Sequence, residues 1–323
     1  MSSQEKTLAT GTKGDEGKKL KAEQAKTDGE YVPGVGAARN WITADGSSGF
    51  KAEPGRYHLY VGHFCPNCHR CFLTLSLKGL FDVISVDVCS FRHNDEKGFE
   101  FVPEIPGCTE DTVNGKKFIG DIYSMVGINQ RSIPVLWDKK TGTIVSNESA
   151  EIIRMLNCEF NEWAKESIDL YPPSLQKEIE EFNAWIYAEI NIGVYKAGFA
   201  KSQEAYDSAV RVLFNALDRL EELLAKRRFL CGNQLTEADV RLFPTLFRFD
   251  HVYFICFKCN KRMIRDYEHL CGYVRDVYQQ MGVANASNME HCTHGYFSIS
   301  GNKIVPIGPD FDFNEPTQRS EMK

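Results

Sequence analysis

The chain has 323 residues, a formal net charge of −6 and eleven cysteines. This length suits two domains, and an acidic chain without a long basic block argues against nucleic acid as a partner. The sequence contains neither the run of about 18 apolar residues that a membrane span needs nor an apolar N-terminal signal segment. Because the cysteines are scattered rather than spaced as a disulfide framework, we expect a cytoplasmic protein with reduced thiols.

The composition divides the chain into four parts. Residues 1–30 are rich in Lys, Glu, Thr and Gly and predict a disordered tail, because such a segment cannot bury enough apolar surface to order itself. Residues 31–158 predict an extended arm followed by an α/β domain. Residues 159–174 predict a linker, and residues 175–323 predict a helical domain with a C-terminal tail.

The α/β part begins with a predicted strand over residues 57–64, which are rich in aromatic residues and Val. Pro66 suits the first position of the helix that follows, and residues 81–89 predict a second, buried strand. A strand, a crossover helix and a strand make a parallel βαβ unit. Residues 91–131 are expected to form a long irregular loop.

Two further strands and a helix complete this part. Residues 133–137 and 143–145 predict short strands joined by a Thr-Gly turn. Residues 146–157 carry apolar side chains at helical spacing. The order βαβ, loop, ββα is that of a thioredoxin-like domain.

The chain after the linker predicts helices over residues 175–199, 203–226, 236–254 and 266–281. Thr236 and Asp239 fit a capping box at the start of the third helix. An irregular tail is expected from residue 285 onward, with residues 304–307 packing back on the body. The predicted fold class is therefore α/β plus all-α, with the thioredoxin-like domain first and the helical domain second.

The motif Cys65-Pro66-Asn67-Cys68 lies where the first strand meets the first helix. The N-terminus of a helix presents free N–H groups and the positive end of the helix dipole, and both stabilise a thiolate. Cys65 is therefore the predicted nucleophile of a redox or thiol-transfer centre. Cys68 is either a resolving thiol that forms a disulfide with Cys65 or a bystander, and the sequence leaves both open.

A metal site is the alternative interpretation of the cysteines. Cys65, Cys68 and Cys71 recur at a spacing of three, and Cys256 and Cys259 form a second Cys-x-x-Cys. Two such pairs could ligate zinc or an iron–sulfur cluster. No His pair has a matching spacing, and the second cysteine pair falls at an aromatic-rich helix end. We therefore expect no metal.

Two further motifs suit a peptide-like ligand. Ile133-Pro134 begins the third strand, and a cis proline there leaves the backbone of the preceding residue free to pair with such a ligand. Glu148 and Ser149 open the next helix, where a carboxylate can pair with an ammonium group and a hydroxyl can help to bind a carboxylate. Helix capping is the commoner explanation for these two residue types.

Longer motifs carry a more specific resemblance. The chain resembles the Xi class of the glutathione transferase superfamily, the glutathionyl-hydroquinone reductases, from about residue 31 to residue 309. The segments that carry the resemblance are GRYHLYVGHFCPNCHR, IPVLWDKKTGTIVSNESAEIIRMLN, INIGVYKAGFA, LTEADVRLFPTLFRFD, FKCN and IVPIGP. The resemblance implies a homodimer that uses glutathione as co-substrate and acts on aromatic, hydroquinone-type conjugates.

The resemblance also implies roles for individual residues. Cys65 matches the cysteine that attacks the sulfur of an S-glutathionyl-hydroquinone, after which a second glutathione resolves the mixed disulfide. Tyr195 and Tyr296 match two tyrosines that hold the hydroquinone oxygens, and Tyr253 is expected to form a third wall of that pocket. Ile133, Glu148 and Ser149 match glutathione-binding positions of the family. Asn67 and Pro134 are also assigned to glutathione binding.

The active-site loop departs from the family pattern Cys-Pro-Trp-Ala-His-Arg, because Asn67 stands for the Trp and Cys68 for the Ala. The Trp of the family packs against glutathione, and the added Cys makes a dithiol. Asn191-Ile192 stands for a pair of Asn, and Cys256 stands for a His. Two alternative functions therefore stay open: a dithiol oxidoreductase acting on protein disulfides or dehydroascorbate, and a non-catalytic protein that binds aromatic ligands.

Overall fold

The computed structural model describes residues 29–298 and 304–322 of the chain. The predicted disordered tail falls almost entirely on residues 1–28, which lie outside the described residues. Every helix in the two described ranges is too short or too polar to cross a membrane.

The strands in the described ranges are short. They are β1 (Ile42–Thr43), β2 (Phe50–Lys51), β3 (Tyr57–Val61), β4 (Ser85–Val88), β5 (His93–Asn94), β6 (Gly98–Phe99), β7 (Val135–Asp138) and β8 (Thr143–Ser146). A four-stranded sheet has the order β4-β3-β7-β8, in which β3 is parallel to β4 and the other neighbours are antiparallel. The remaining strands form two small pairs, β1 with β2 and β5 with β6.

The helices of the described ranges follow and surround this sheet. They are α1 (Pro66–Lys78), α2 (Ile119–Met125), α3 (Ser149–Cys158), α4 (Gln176–Ile186), α5 (Gly193–Gly198), α6 (Gln203–Leu224), α7 (Glu237–Phe247), α8 (Phe254–Cys256), α9 (Glu268–Tyr278), α10 (Val283–Ala286) and α11 (Met289–Phe297). Two π-helical turns, Tyr187–Asn191 and Phe249–Tyr253, precede α5 and α8. A mixed α/β half is thus followed by a helical half, as predicted.

Helix α1 is fixed at both ends by local backbone geometry. Cys65 precedes it in an extended conformation, and Pro66 occupies the first turn, where a missing N–H costs nothing. At the other end Gly79 has a φ of 63°, and the N–H of Leu80 donates to the carbonyl of Leu75 at 2.9 Å. This pattern is a Schellman motif. The position of Cys65 relative to the sheet is therefore well defined.

The two halves meet where α1, which packs against α3 within the α/β half, contacts α7 of the helical half. Arg154 of α3 makes a bidentate pair with Glu237 at the start of α7, with N···O distances of 3.0 and 2.7 Å. The amide of Asn183 in α4 donates to the same carboxylate at 3.1 Å. The Glu237 side chain is almost fully buried. This network joins three helices and holds the two halves in one arrangement.

The prediction of an irregular loop over residues 91–131 is wrong in part. This segment contains the β5–β6 hairpin and helix α2, whose Ile119, Ile122 and Tyr123 are fully buried. The helix has seven residues and no side-chain cap at its N-terminus. A helix this short shows fewer than two full turns of apolar periodicity, so the sequence pattern does not reveal it.

The predicted helices 175–199 and 236–254 are each interrupted by a π-helical turn. Such turns insert an extra residue, which shifts the apolar face without removing its helical spacing. The capping box of Thr236 and Asp239 is confirmed, with the Thr236 N–H donating to the Asp239 carboxylate at 2.9 Å. The helical segments exist where predicted, but the apolar face of each of these two helices changes direction at its π-helical turn.

The predicted irregular tail is also wrong in two respects. Helix α11 lies within it, capped by the Asn288 side chain, which accepts from the N–H of His291 at 3.0 Å. Of the residues expected to pack back, Ile304 is largely exposed and Ile307 fully exposed. Phe313 packs instead, with its ring centroid 4.8 Å from that of Phe247. An aromatic ring buries more apolar surface than an aliphatic side chain in the same place.

Candidate active site

A cleft of about 630 Å³ lies between the two halves of the molecule. It brings together residues from the cysteine loop, from the loop before β7, from the start of α3 and from α5. Seven of the ten predicted site residues line it, and they are Cys65, Asn67, Ile133, Pro134, Glu148, Ser149 and Tyr195. The other three, Cys68, Tyr253 and Tyr296, lie behind this surface.

Cys65 is a half-buried free thiol at the N-terminus of α1. Its pKa is lowered to about 7, chiefly by a hydrogen bond from the Cys68 side chain. The backbone N–H groups of Cys68 and Asn67 and the charge of Arg248 lower this pKa further, against the opposing effect of burial. The lowered pKa increases the population of the Cys65 thiolate at neutral pH, and the thiolate is the nucleophilic form.

The Ile133–Pro134 peptide bond is cis, as predicted. The Cys65 thiol lies 3.7 Å from the Ile133 carbonyl oxygen, so the reactive sulfur lies directly against this loop. Pro134 and Ile133 both line the cleft. A peptide-like ligand that pairs with this backbone is thereby brought next to the sulfur.

The far end of the cleft contains both a carboxylate and a buried cation. Glu148 caps α3, accepting from the N–H of Ala150 at 3.3 Å. Ser149 follows it, and its hydroxyl accepts from Arg70 Nη1 at 3.3 Å. Arg70 is almost fully buried, and burial lowers its pKa to about 10. Sequence reasoning missed Arg70, because an arginine in an amphipathic helix ordinarily points to solvent.

Three tyrosines form a hydrogen-bonded chain behind the opposite wall. The phenolic oxygens of Tyr195 and Tyr296 lie 2.5 Å apart, and those of Tyr253 and Tyr296 lie 3.0 Å apart. Burial raises the pKa of all three phenols, so each is protonated at neutral pH. Only Tyr195 reaches the cleft surface. A protonated phenol can donate a hydrogen bond to a substrate oxygen.

The N-terminal arm closes one side of the cleft. The ring of Tyr31 stacks on Tyr195 with a centroid distance of 6.0 Å and lies 5.4 Å from the ring of Phe199. Gln130 holds the arm by donating to the Val35 carbonyl at 3.0 Å. The sequence marks Tyr31 only as an isolated aromatic residue on an extended segment. Tyr31 and Tyr195 are more than 160 positions apart in the chain, so no local sequence pattern indicates their contact.

Arg248 is a second residue that sequence reasoning missed. It is fully buried between α7 and the turn that carries Tyr253. Its Nη2 donates to His69 Nδ1 at 3.1 Å, while Nε and Nη1 have no hydrogen bond of normal geometry within the described residues. Because an arginine can only donate, His69 Nδ1 must accept, and His69 is neutral. The guanidinium charge acts on Cys65 and on the three phenols.

The remaining cysteines of the predicted metal alternative are dispersed. Cys71 is buried in α1 and donates to the Asn67 carbonyl at 3.5 Å. Cys259 is buried near the Val194 carbonyl, 4.0 Å away. Across residues 29–298 and 304–322, no group of three or more His, Cys, Asp or Glu side chains is arranged to hold a metal ion.

Comparison with known proteins identifies the family. Residues 64–158 match the family model "Glutathione S-transferase, N-terminal domain", and residues 203–276 match "Glutathione S-transferase, C-terminal domain". The chain is 48% identical to the glutathionyl-hydroquinone reductase YqjG of Escherichia coli K12 over 306 residues, or 91% of this chain and 93% of YqjG. It is 42% identical to the glutathionyl-hydroquinone reductase PcpF of Sphingobium chlorophenolicum, covering 81% of this chain and 85% of PcpF.

Solved structures indicate the same family. The Xi-class glutathione transferase of Natrialba magadii matches with a TM-score of 0.86 and 44% identity over 88% of this chain and 89% of that chain. The chain belongs to the Xi class of glutathione transferases. The glutathione-bound structure of YqjG matches this Xi-class chain with a TM-score of 0.85, covering 88% of it and 96% of YqjG.

Asn67 and Ile192, where the resemblance leads us to expect other residues, both line the cleft. Asn67 is exposed at the cleft surface, and Asn191 and Ile192 line it. The Asn191 amide donates to Thr245 Oγ1 at 2.8 Å, so its orientation is fixed. Cys256 ends α8, three residues beyond Tyr253. Asn67 and Ile192 are therefore in a position to contact a ligand in the cleft.

Proposed function

We propose that this protein is a glutathione-dependent reductase that cleaves S-glutathionyl-hydroquinones. The observation that carries the proposal is the position of Cys65, a thiol of lowered pKa between a peptide-binding loop and a wall containing protonated phenols. A glutathionyl-hydroquinone has a peptide half and a phenolic half joined by one sulfur. The relatives YqjG and PcpF are glutathionyl-hydroquinone reductases by name, which supports the proposal.

In this proposal the peptide half of the conjugate binds along the α/β side of the cleft. The backbone of Ile133 pairs with the cysteinyl part of glutathione, beside Pro134 and Asn67. Glu148 pairs with the ammonium of the γ-glutamyl group, and Ser149 binds its carboxylate with the help of the α3 N-terminus. The contact between Arg70 and Ser149 supports this assignment, because it provides positive charge beside the anionic end of the ligand.

The aromatic half then lies against Tyr195, with Tyr296 and Tyr253 behind it. Tyr195 donates a hydrogen bond to a ring oxygen, and Tyr296 supports that phenol through the 2.5 Å contact. Negative charge that develops on the hydroquinone during cleavage is thus stabilised by a donor that is already in place. The positive charge of Arg248 also stabilises this developing negative charge.

The reaction is a nucleophilic attack by a thiolate on the thioether sulfur of the conjugate. The Cys65 thiolate attacks this sulfur, the sulfur–carbon bond to the ring breaks, and its electron pair takes a proton at the ring carbon. The products are the free hydroquinone and a Cys65–glutathione disulfide. A second glutathione attacks this disulfide, which restores Cys65 and yields glutathione disulfide. The sulfur atoms are oxidised and the ring carbon is reduced, so the electrons balance.

Steady-state turnover of S-glutathionyl-menadiol with excess glutathione tests the proposal. The wild-type protein should form one menadiol and one glutathione disulfide for each conjugate consumed. Cys65→Ala should be inactive, and Cys65→Ser should keep at most a trace, because a hydroxyl is not ionised near neutral pH. Full activity of Cys65→Ala, or an inactive wild type that still binds the conjugate, would contradict the proposal.

We further propose that the protein acts in the cytoplasm as a homodimer, on small glutathione conjugates rather than on nucleic acid or at a membrane. The cysteine-rich composition without a disulfide framework supports the reducing compartment. Light scattering coupled to size-exclusion chromatography should give twice the chain mass of 36.7 kDa. A monomer at micromolar concentration would contradict the dimer without affecting the proposed chemistry.

A further inference from the structure

The proposed reaction leaves one nucleophile of the site unused. Cys68 is a free thiol in the first turn of α1, fully buried directly behind Cys65. We propose that Cys68 resolves the Cys65–glutathione disulfide, so that the protein expels glutathione, forms an internal Cys65–Cys68 disulfide and can be recycled by a dithiol reductant. This inference rests on the proposed function only in requiring that Cys65 accepts glutathione.

The geometry of the helix start suits this disulfide. Cys65 is the residue before the helix, and Cys68 is its third residue. Residues three apart in a helix have Cα atoms about 5 Å apart, within the range of about 4.4–6.8 Å that a disulfide spans. The pKa of each thiol is shifted by the other, as expected for two sulfur groups that lie close together. The spacing of the two residues at the helix start is therefore compatible with a disulfide.

The electrostatics make Cys68 active only after the first step. Burial raises the pKa of Cys68 well above its usual range, and the hydrogen bond and negative charge of Cys65 raise it further. When glutathione is attached to Cys65, that sulfur no longer carries a charge. The part of the pKa shift that comes from Cys65 is then removed, while the N-terminus of α1 continues to favour a thiolate at Cys68.

Other cysteines near the site are held in different arrangements. Cys71 lies three residues after Cys68 on α1, and its thiol donates to the Asn67 carbonyl at 3.5 Å. The Cys292 thiol donates to the His63 carbonyl at 3.6 Å from α11. Neither forms a Cys-x-x-Cys pair with Cys65 at a helix start. Cys71 is therefore a matched control for Cys68, as a buried thiol on the same helix.

The proposed step is balanced without an external oxidant. The Cys68 thiolate attacks the Cys65 sulfur of the mixed disulfide, and the bond between Cys65 and glutathione breaks. Glutathione leaves as a thiolate and takes up the proton that Cys68 lost. The oxidation state of the mixed disulfide is transferred to the Cys65–Cys68 disulfide. A dithiol then reduces this bond and is itself converted to a cyclic disulfide.

A single-turnover experiment without free thiol separates the two routes. Reduced protein is mixed anaerobically with one equivalent of S-glutathionyl-menadiol, and menadiol, free glutathione and protein mass are measured. We expect the wild type and Cys71→Ala to release about one glutathione per menadiol and to lose the mass of two hydrogens. Cys68→Ala and Cys68→Ser should release menadiol but no glutathione and should carry a glutathione adduct. Circular dichroism of Cys68→Ala and Cys68→Ser checks that each variant is folded.

Two results would overturn the inference. If the wild type keeps the glutathione adduct as Cys68→Ala does, Cys68 does not resolve it and the second glutathione is required. If Cys71→Ala keeps the adduct and Cys68→Ala does not, the resolving thiol is Cys71. A different result, in which no variant with an intact Cys65 releases menadiol, would mean that the proposed function itself has failed.

Discussion

The phenolic oxygens of Tyr195 and Tyr296 are 2.5 Å apart, although the two residues are 101 positions apart in the chain. Tyr195 belongs to α5, which follows a π-helical turn, and Tyr296 belongs to α11. Tyr253 reaches the same oxygen of Tyr296 at 3.0 Å. The three phenols thus form a chain in which Tyr195 faces the cleft and the other two lie behind it.

This order predicts graded effects of removing single hydroxyls. Tyr195→Phe removes the donor at the cleft surface and should lower kcat/KM for a glutathionyl-hydroquinone about 100-fold. Tyr253→Phe leaves the Tyr195–Tyr296 contact in place and should cost less than about 10-fold. Tyr206→Phe, whose hydroxyl contacts the Lys258 carbonyl, is the control and should be neutral. Steady-state kinetics check the series, and equal losses for Tyr195→Phe and Tyr253→Phe would contradict the order.

The lowered pKa of Cys65 predicts how its reactivity depends on pH. Only the thiolate reacts, so the rate of alkylation by iodoacetamide should rise about tenfold per pH unit below pH 7 and level off above it. Cys68 should not contribute, because its pKa is raised. Cys65→Ser serves as the control and should lack the fast phase. A midpoint near the ordinary thiol value of about 8.5 would contradict the assignment.

Arg248 is predicted to contribute to that reactivity through its charge. Arg248→Met keeps much of the side-chain volume but removes the charge, so the pKa of Cys65 should rise. Arg248→Lys should restore most of the shift. The same alkylation profile measures both variants, and circular dichroism checks that each is folded. An unchanged midpoint in a folded Arg248→Met protein would show that the charge does not act on the thiol.

Tyr31 is predicted to influence which conjugates bind. Its ring packs on Tyr195 and Phe199, so Tyr31→Ala opens the aromatic side of the cleft. Ring contacts of this kind contribute about 0.5–1.5 kcal/mol, so KM for the aromatic conjugate should rise about 3- to 10-fold with kcat little changed. Val32→Ala, the next residue on the same arm, should leave KM unchanged. A loss confined to kcat would indicate a different role for the arm.

The junction between the two halves predicts an effect on stability. Glu237→Gln leaves Arg154 without its bidentate partner and should lower the free energy of unfolding by about 3 kcal/mol. Glu181→Gln, which removes an exposed pair with Lys177, should change it by less than about 0.5 kcal/mol. Urea unfolding followed by Trp fluorescence compares the two. Similar stabilities of both variants would mean that the buried pair does not hold the halves together.

The sequence was sufficient for features that depend on local chemistry. Cys65 could be predicted as the nucleophile because a proline and an apolar helix follow it directly. The cis peptide bond at Pro134 could be predicted because this proline precedes the third strand of a βαβ–ββα order. The capping box at Thr236 is likewise a four-residue pattern. Each of these signals lies within a few residues of the feature that it predicts.

Features that depend on contacts between distant segments could not be predicted in this way. Arg248 resembles a surface residue in the sequence, and its burial appears only when α7 packs against α1. The Tyr31 contact requires the arm to fold across the cleft. Helix α11 lacks an apolar stripe, and its best signal, the Asn288 cap, is also common in loops. In each case tertiary packing rather than local propensity determines the structure.

The most direct test of the account is to locate the glutathione after one turnover. Cys68→Ala is mixed with one equivalent of S-glutathionyl-menadiol without free thiol, digested at low pH and mapped by mass spectrometry. The account predicts menadiol release together with a glutathione adduct on the peptide that contains Cys65, at the Cys65 sulfur. Menadiol release with glutathione on any other cysteine, or on none, would contradict the assignment of Cys65 as the attacking thiol.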